Sequence, residues 1–455
     1  MRRKKGNSSF GVLFVFVLIV AGALYVYNSA MFERELPKVE LSNYEYWNLK
    51  KPLHLKIEDS SGIKSYKVIL KTDNGDKTLY YEQLLNPKQL IKLEIESPRS
   101  AYAMKDKNVK IVVEAVDASK WNLLNGNSVT KEFSVKIDKK RPQLNVISNS
   151  YKIIRGGSAI VIFKAKDENL KKLYIQTNFG KKFKVEPFYK KGYYISLLAW
   201  PIKEENFRAS VIALDYAQNS SKAYIPLYLK QKRYRVSKIN ISDRFLKGKI
   251  AQLAEEFAET QGVDNPLEQF QIINEDVRAK NEQLIHDITS KVSDKMISDF
   301  KINKMYPLKN AQVVASFGDH RKYYYDGNYI SESYHLGLDL ASNAMAAIKP
   351  QNGGNVIFSD FNGLYGNMPI IDHGLGLYTL YGHCSSVSVS SGDVVQNNQS
   401  IANTGKTGYA MGDHLHFGVL VQGIEVRPAE WMDKTWMELN IGDVIKSAKE
   451  IIDKN

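Results

Sequence analysis

The stretch from His335 to His416 carries HLGLD (335–339), TLYGHC (379–384) and GDHLHFG (412–418). Six of the eight histidines fall between His320 and His416. Surplus imidazole, one well-spaced carboxylate and short glycine-punctuated segments point to a metal site built on β-strands. In HLGLD, His335 and Asp339 are four apart, an even spacing that puts both on one face of an extended segment. His414 and His416 share a face in the same way, while Leu415 and Phe417 turn toward a core. Zinc sites in hydrolases typically take three protein ligands and leave the fourth position for water. A lone His-x-His is a weak signal. His-x-x-x-Asp followed about 75 residues later by His-x-His, with a Tyr-Gly-His turn between, is far more specific.

Around this stretch, from Tyr306 to about Asp433, the chain alternates in strand-length pieces: VIFSD, MPIIDHG, LYTLYGH, SVSVSSGDVV and LHFGVLV. A tail (434–455) containing DVIKSAKEIID reads as a helix whose apolar residues dock on this β domain. Cys384 is the single cysteine, so no internal disulfide can form. It follows His383, but adjacent strand residues point to opposite faces, so a buried apolar role is expected rather than a nucleophile. His373 reads as structural, and His320 and Tyr323-Tyr324-Tyr325 as surface or cleft-wall residues.

The segment from Phe317 to Trp431 resembles the LytM/lysostaphin-type zinc metallopeptidases. The resemblance rests on SFG before the site, HLGLDLA, GLYGN (363–367), IDHGLGLYTLYGH (371–383), SGDVV (391–395), NTGKTG (403–408) and GDHLHFGV (412–419). It covers the last third of the chain. Two features depart from it: Cys384 stands where leucine is common, and AMAAIKP (344–350) replaces a Gly-Thr-Pro-Val run. The resemblance implies His335, Asp339 and His416 as ligands of one Zn2+, and His383 and His414 as catalytic imidazoles. His414 is then the base or water-orienting group and His383 the oxyanion stabiliser, two roles that can be exchanged. It also implies an antiparallel β-sheet or barrel with a groove on one face, and peptidoglycan as substrate.

The 455 residues suggest three or four domains of a mainly β multidomain chain. Arg2, Arg3, Lys4 and Lys5 precede the uncharged run Phe10–Tyr27. Residues 1–30 therefore read as a cytoplasmic tip and a transmembrane helix with the bulk of the chain outside. A cleaved signal peptide with Ala21-Gly22-Ala23 at the cleavage site is the weaker reading, because the apolar run continues past it. Residues 31–141 and 142–238 read as two immunoglobulin-like β-sandwich domains. Asp59 and Asp117 recur as Asp167 and Asp215 in matching contexts, at offsets of 108 and 98. Such aspartates cap turns; calcium has weaker support, since no dense cluster of carboxylates accompanies them in the sequence.

Residues 239–303 read as a helical hairpin or connector. Ser242-Asp243 and Asn265-Pro266 supply its two starts, and Phe245, Ile250, Leu253 and Phe257 its apolar stripe. Its His286 reads as a surface residue; a lid or a partner-docking arm is the alternative for the helices. The net charge of +14 is uneven: residues 31–240 hold 40 basic and 22 acidic groups, residues 241–455 hold 19 and 27. The basic part suits anionic lipid or an acidic polymer, while the acidic histidine-rich part argues against nucleic acid. The expected protein is a single-pass inner-membrane zinc endopeptidase acting on peptidoglycan in the periplasm, with a protein partner through the helices or sandwiches. The alternative is a catalytically silent relative that activates another wall enzyme.

Overall fold

The computed structural model describes residues 8–98 and 106–454; the basic cluster Arg2–Lys5 lies outside the described residues. The fold is mainly β, with one N-terminal apolar helix and an antiparallel sheet at the C-terminal end. The helix Ser8–Asn28 contains Phe10–Asn28, long and apolar enough to cross a membrane. From Phe10 to Tyr25 its side chains are exposed, Phe10, Phe16 and Ile19 among them.

The chain divides into two compact units. One comprises Met1–Pro142, Asp167–Lys171 and Leu214–Ser220; the other comprises Gln143–Lys166, Lys172–Ala213 and Ser221–Asn455. In the first, one sheet runs Lys38–Ser42, Leu53–Thr72, Asn108–Asp117, Ser128–Ile137, Tyr46–Trp47, with Gly75–Ile95 paired along Leu53–Thr72. Alternation drives these strands. In Leu53–Thr72 the residues Leu53, Leu55 and Ile57 are buried, and intervening residues such as His54 face outward. Register shifts near Ile63 and Val68 interrupt that long hairpin as bulges, which bend a strand and increase its twist.

In the second unit, one four-stranded sheet runs Glu186–Pro187, Tyr193–Ala199, Ser158–Lys166, Gln143–Asn149. The central strand Ser158–Lys166 is almost wholly buried, which explains its unbroken apolar run AIVIF (159–163). The C-terminal sheet has eight strands, all antiparallel. Its order is Gln312–Ala315, Leu338–Ala341, Leu415–Val421, Leu377–Gly382, Asn367–Asp372, Gly354–Phe361, Val394–Val395, with Ile424–Val426 beside Leu415–Val421. One apolar core joins Phe163, Leu197 and Trp200 with Leu415, Phe417 and Trp431.

The helical segments begin where the caps predict. Ser242 Oγ accepts from Phe245 N, and Asn265 Oδ1 accepts from Leu267 N with Pro266 next. Both helices run through a five-residue π segment, Leu246–Ile250 and Ile273–Val277. They bury Ile250, Leu253, Phe270 and Ile273 against Tyr323 and Leu364. The terminal helix Asp443–Lys454 packs on the Gln143–Asn149 and Ser158–Lys166 strands, where the sequence reading placed it on the C-terminal domain. Asp453 there meets Tyr189 Oη at 3.0 Å and Lys190 Nζ at 2.8 Å. An amphipathic stripe states that a helix docks, not on what.

Candidate metal centre

Strand register builds the centre. Leu338–Ala341 pairs with Leu415–Val421 so that Asp339 lies directly opposite His416. Their neighbours pair as Leu338 with Phe417 and Leu340 with Leu415, all four buried on the opposite face. On the other side of Leu415–Val421, Gly382 lies opposite His416. His383 follows at the end of that strand, and His414 precedes its own strand in a bridge to Gly405. His335 stands in the connection after Asn328–Tyr334, not on the strand of Asp339. The shared-face argument therefore holds for His414 and His416 as a spacing, but a loop brings His335 to Asp339.

Three donor atoms converge. His335 Nε2 is 2.9 Å from Asp339 Oδ1 and 3.2 Å from His416 Nδ1, and His416 Nδ1 is 2.9 Å from Asp339 Oδ1. Bonds of about 2.0–2.1 Å in tetrahedral geometry place ligand atoms roughly 3.3–3.4 Å apart. Two imidazole nitrogens and a carboxylate oxygen at these separations fit a zinc ion. Ser316 O, 2.9 Å from His335 Nδ1, accepts its N–H and leaves Nε2 as the lone pair for a metal. Thr407 O, 2.8 Å from His383 Nδ1, and Gly412 O, 2.8 Å from His414 Nδ1, do the same for those rings. The ring centroids of His383 and His414 are 4.8 Å apart, and His414 Nε2 is 3.7 Å from Asp339 Oδ2.

Electrostatics follow from burial. Burial pushes the Asp339 carboxyl up, but the hydrogen bonds and charges of His335 and His416 outweigh it and hold the group well below the usual range. Burial lowers His416, with Asp339 opposing. Burial, reinforced by His416 and His414, pushes His383 down to about 3, so this ring is neutral at neutral pH.

The remaining residues named from sequence separate from the centre. His373 is held by Gly353 O and Thr379 Oγ1 at 2.8 and 2.7 Å, and burial pushes it down to about 4. Cys384 is buried and its thiol pushed up to about 12 by burial, which suits a packing role. His320 stacks on Tyr334 with ring centroids 4.3 Å apart. His286 meets Glu425 at 2.9 Å rather than facing solvent alone.

The donor atoms open into a cavity of about 680 Å³. Its other walls include Ile241, Phe245 and Arg278 from the helical region, with Arg321, Tyr323 and Tyr409. Sequence reasoning missed Arg278 and Arg321, because nothing in their spacing ties them to the histidines. Gly337 was missed as well. A Cβ there would run into the His416 ring and into Phe417 O.

Residues 333–428 match the model of peptidase family M23, which bears out the resemblance read from the motifs over that stretch. Over 129 residues the chain is 33% identical to peptidoglycan DD-endopeptidase ShyB of Vibrio cholerae serotype O1, covering 28% of this chain and 29% of that protein. Over 98 residues it is 32% identical to murein hydrolase activator EnvC of Escherichia coli K12, covering 22% and 23%. The chain thus spans less than a third of the length of these two curated relatives. The catalytic domain of lysostaphin from Staphylococcus simulans aligns with a TM-score of 0.23 at 24% identity, covering 27% of this chain and 92% of that domain.

Proposed function

We propose that this chain, with its family M23 peptidase stretch at 333–428, is a membrane-anchored, zinc-dependent endopeptidase that hydrolyses peptide bonds of peptidoglycan. The observation that carries this reading is the convergence of His335 Nε2, Asp339 Oδ1 and His416 Nδ1 in the lining of a cavity, with His383 and His414 beside them. Zinc, when bound by those three residues, supplies a Lewis acid that makes water a nucleophile at neutral pH. The chain's own part is proton handling and charge stabilisation. His414, with its proton held on Nδ1 by Gly412 O, takes the water proton at Nε2 and passes it to the leaving amine. His383, held the same way by Thr407 O, also presents Nε2 as an acceptor while neutral. That tautomer suits orienting the water; donation to an oxyanion requires the imidazolium, which burial disfavours.

The Phe10–Asn28 helix supports a single-pass anchor in the inner membrane with the rest of the chain in the periplasm. In this reading the two β regions before residue 238 are immunoglobulin-like modules that meet the wall or a protein partner; the repeated aspartates support their kinship. A second reading, that this chain docks another wall enzyme without cutting, is favoured by its similarity to EnvC, whose name is that of a murein hydrolase activator.

The test is zinc content and muropeptide release by the detergent-solubilised full chain. Wild type is expected to hold one zinc and release fragments. His335→Ala loses both, and His383→Ala keeps the zinc while turnover falls about 10²–10⁴-fold. Zinc uptake with no digestion of purified wall would select the activator reading, and absence of zinc uptake would defeat the enzyme reading.

A further inference from the structure

We propose that Asp138, Asp167, Asp215 and the side-chain oxygen of Asn169 form a calcium site in the first compact unit. The three carboxylates come from separate segments: Asp138 after the Ser128–Ile137 strand, Asp167 in a turn, and Asp215 at the end of Ala209–Asp215. One oxygen from each lies within 4.8 Å of the others. Oxygens on opposite sides of a calcium ion, at 2.3–2.6 Å from it, are roughly 4.6–5.2 Å apart. The spread therefore matches one calcium coordination sphere.

The carboxylates are held for this geometry. Asp167 Oδ1 accepts from Asn169 N at 2.8 Å. Asp215 accepts from Asn219 N at 2.7 Å and from Asn219 Nδ2 at 2.9 Å, and the same Nδ2 reaches Asp138 O at 2.9 Å. A turn cap needs one aspartate, so capping explains each hydrogen bond and not the convergence of three acids. Burial and the Asp138 charge raise Asp167; burial raises Asp215, with Asp138 and Asp167 adding to it. A dication relieves both effects.

The independent observation is Asn169. It is 8% exposed, and its Nδ2 donates to Asp138 Oδ2 at 2.8 Å, so its amide sits against the carboxylates. Its Oδ1 is buried and accepts no hydrogen bond among the described residues. An unpartnered buried amide oxygen is costly. Beside a hard cation the amide turns that oxygen inward and becomes a ligand. All donors are oxygens, which selects calcium over zinc. The set Glu33, Asp59 and Asp117 repeats this arrangement, with Asn127 in the place of Asn219 and Ser61 in that of Asn169. It lacks the orphan amide oxygen among the described residues.

The experiment is flow dialysis with radioactive calcium on the detergent-solubilised full chain, at up to about 1 mM free calcium, the range of extracellular modules. Asp167→Asn keeps the acceptor for Asn169 N, and Asn169→Ala removes only the amide. Wild type is expected to bind at least one ion that Asp167→Asn loses, with affinity reduced about tenfold or more in Asn169→Ala. Near-UV circular dichroism unchanged in calcium-free buffer shows that the variants fold. No binding by wild type, or equal binding by wild type and both folded variants, overturns the site. The outcome is independent of zinc and of wall hydrolysis.

Discussion

His416 is touched from three sides: by Asp339 across one strand pair, by Gly382 across the other, and by Gly337 through the space a side chain would fill. The last contact makes a prediction. Gly337→Ala puts a methyl group into the His416 ring and the Phe417 carbonyl, so the ring must turn and Nδ1 leaves the ligand triangle. Zinc affinity measured by chelator competition is expected to fall about 10–100-fold, as for other changes that misorient a ligand. Affinity equal to wild type would show that the ring's position is set elsewhere. His383 has a special backbone too, at φ 65°, where non-glycine residues are uncommon. Its N–H to Tyr365 O at 2.7 Å and its ring to Thr407 O hold it there. The histidine was legible in the sequence; its left-handed turn was not.

At the scale of elements, the long helical segment is tied to the C-terminal sheet by His286 and Glu425 at 2.9 Å. Burial lowers His286, but the hydrogen bond and charge of Glu425, with Glu282, outweigh it and leave the ring raised above its usual value. A raised folded-state pKa contributes stability that is fully present below the unfolded value, about 6.5, and is lost as pH rises through the folded value. His286→Gln is therefore expected to lower the urea midpoint near pH 6, with the gap from wild type narrowing as pH rises through the raised folded-state value. A gap that stays constant across this range would mean that the pair contributes through packing. The ring, 35% exposed, and solvent screening keep the effect modest. Because Arg278 on the same segment lines the cavity, this tie also positions one wall of the candidate site.

At the scale of the molecule, the second unit is more continuous than a stalk carrying a separate catalytic domain. Ser158 N donates to Glu430 at 3.0 Å, Lys184 N to Gln422 Oε1 at 2.8 Å, and Ser150 Oγ to Asn440 O at 2.8 Å. Trp431 and Trp200 belong to the same core. A fragment of residues 240–455 loses one side of that core and exposes Val426, Trp431 and Ile445. It is expected to aggregate or to lack the near-UV circular dichroism of the full chain. A soluble, cooperatively unfolding fragment that takes up zinc would show that the sheet supplies its own core.

Local pattern determined much of this protein. Alternation marked the strands, capping residues marked the helix starts, an uncharged run marked the N-terminal helix, and residue type with spacing, read together with the family resemblance, named His335, Asp339, His383, His414 and His416. These are properties of neighbours along the chain, set by periods of 2.0 and 3.6 residues. Tertiary structure alone decided which of these residues meet. Asp339 reaches His416 across 77 positions through strand register, a loop carries His335 to both, and Arg278 reaches the cavity through helix packing. The terminal helix chose the Gln143–Asn149 strand, and Asp138, Asp167 and Asp215 became one cluster. Convergence of distant segments depends on pairing and on the filling of a shared core, and neither is written in the periodicity of any one segment.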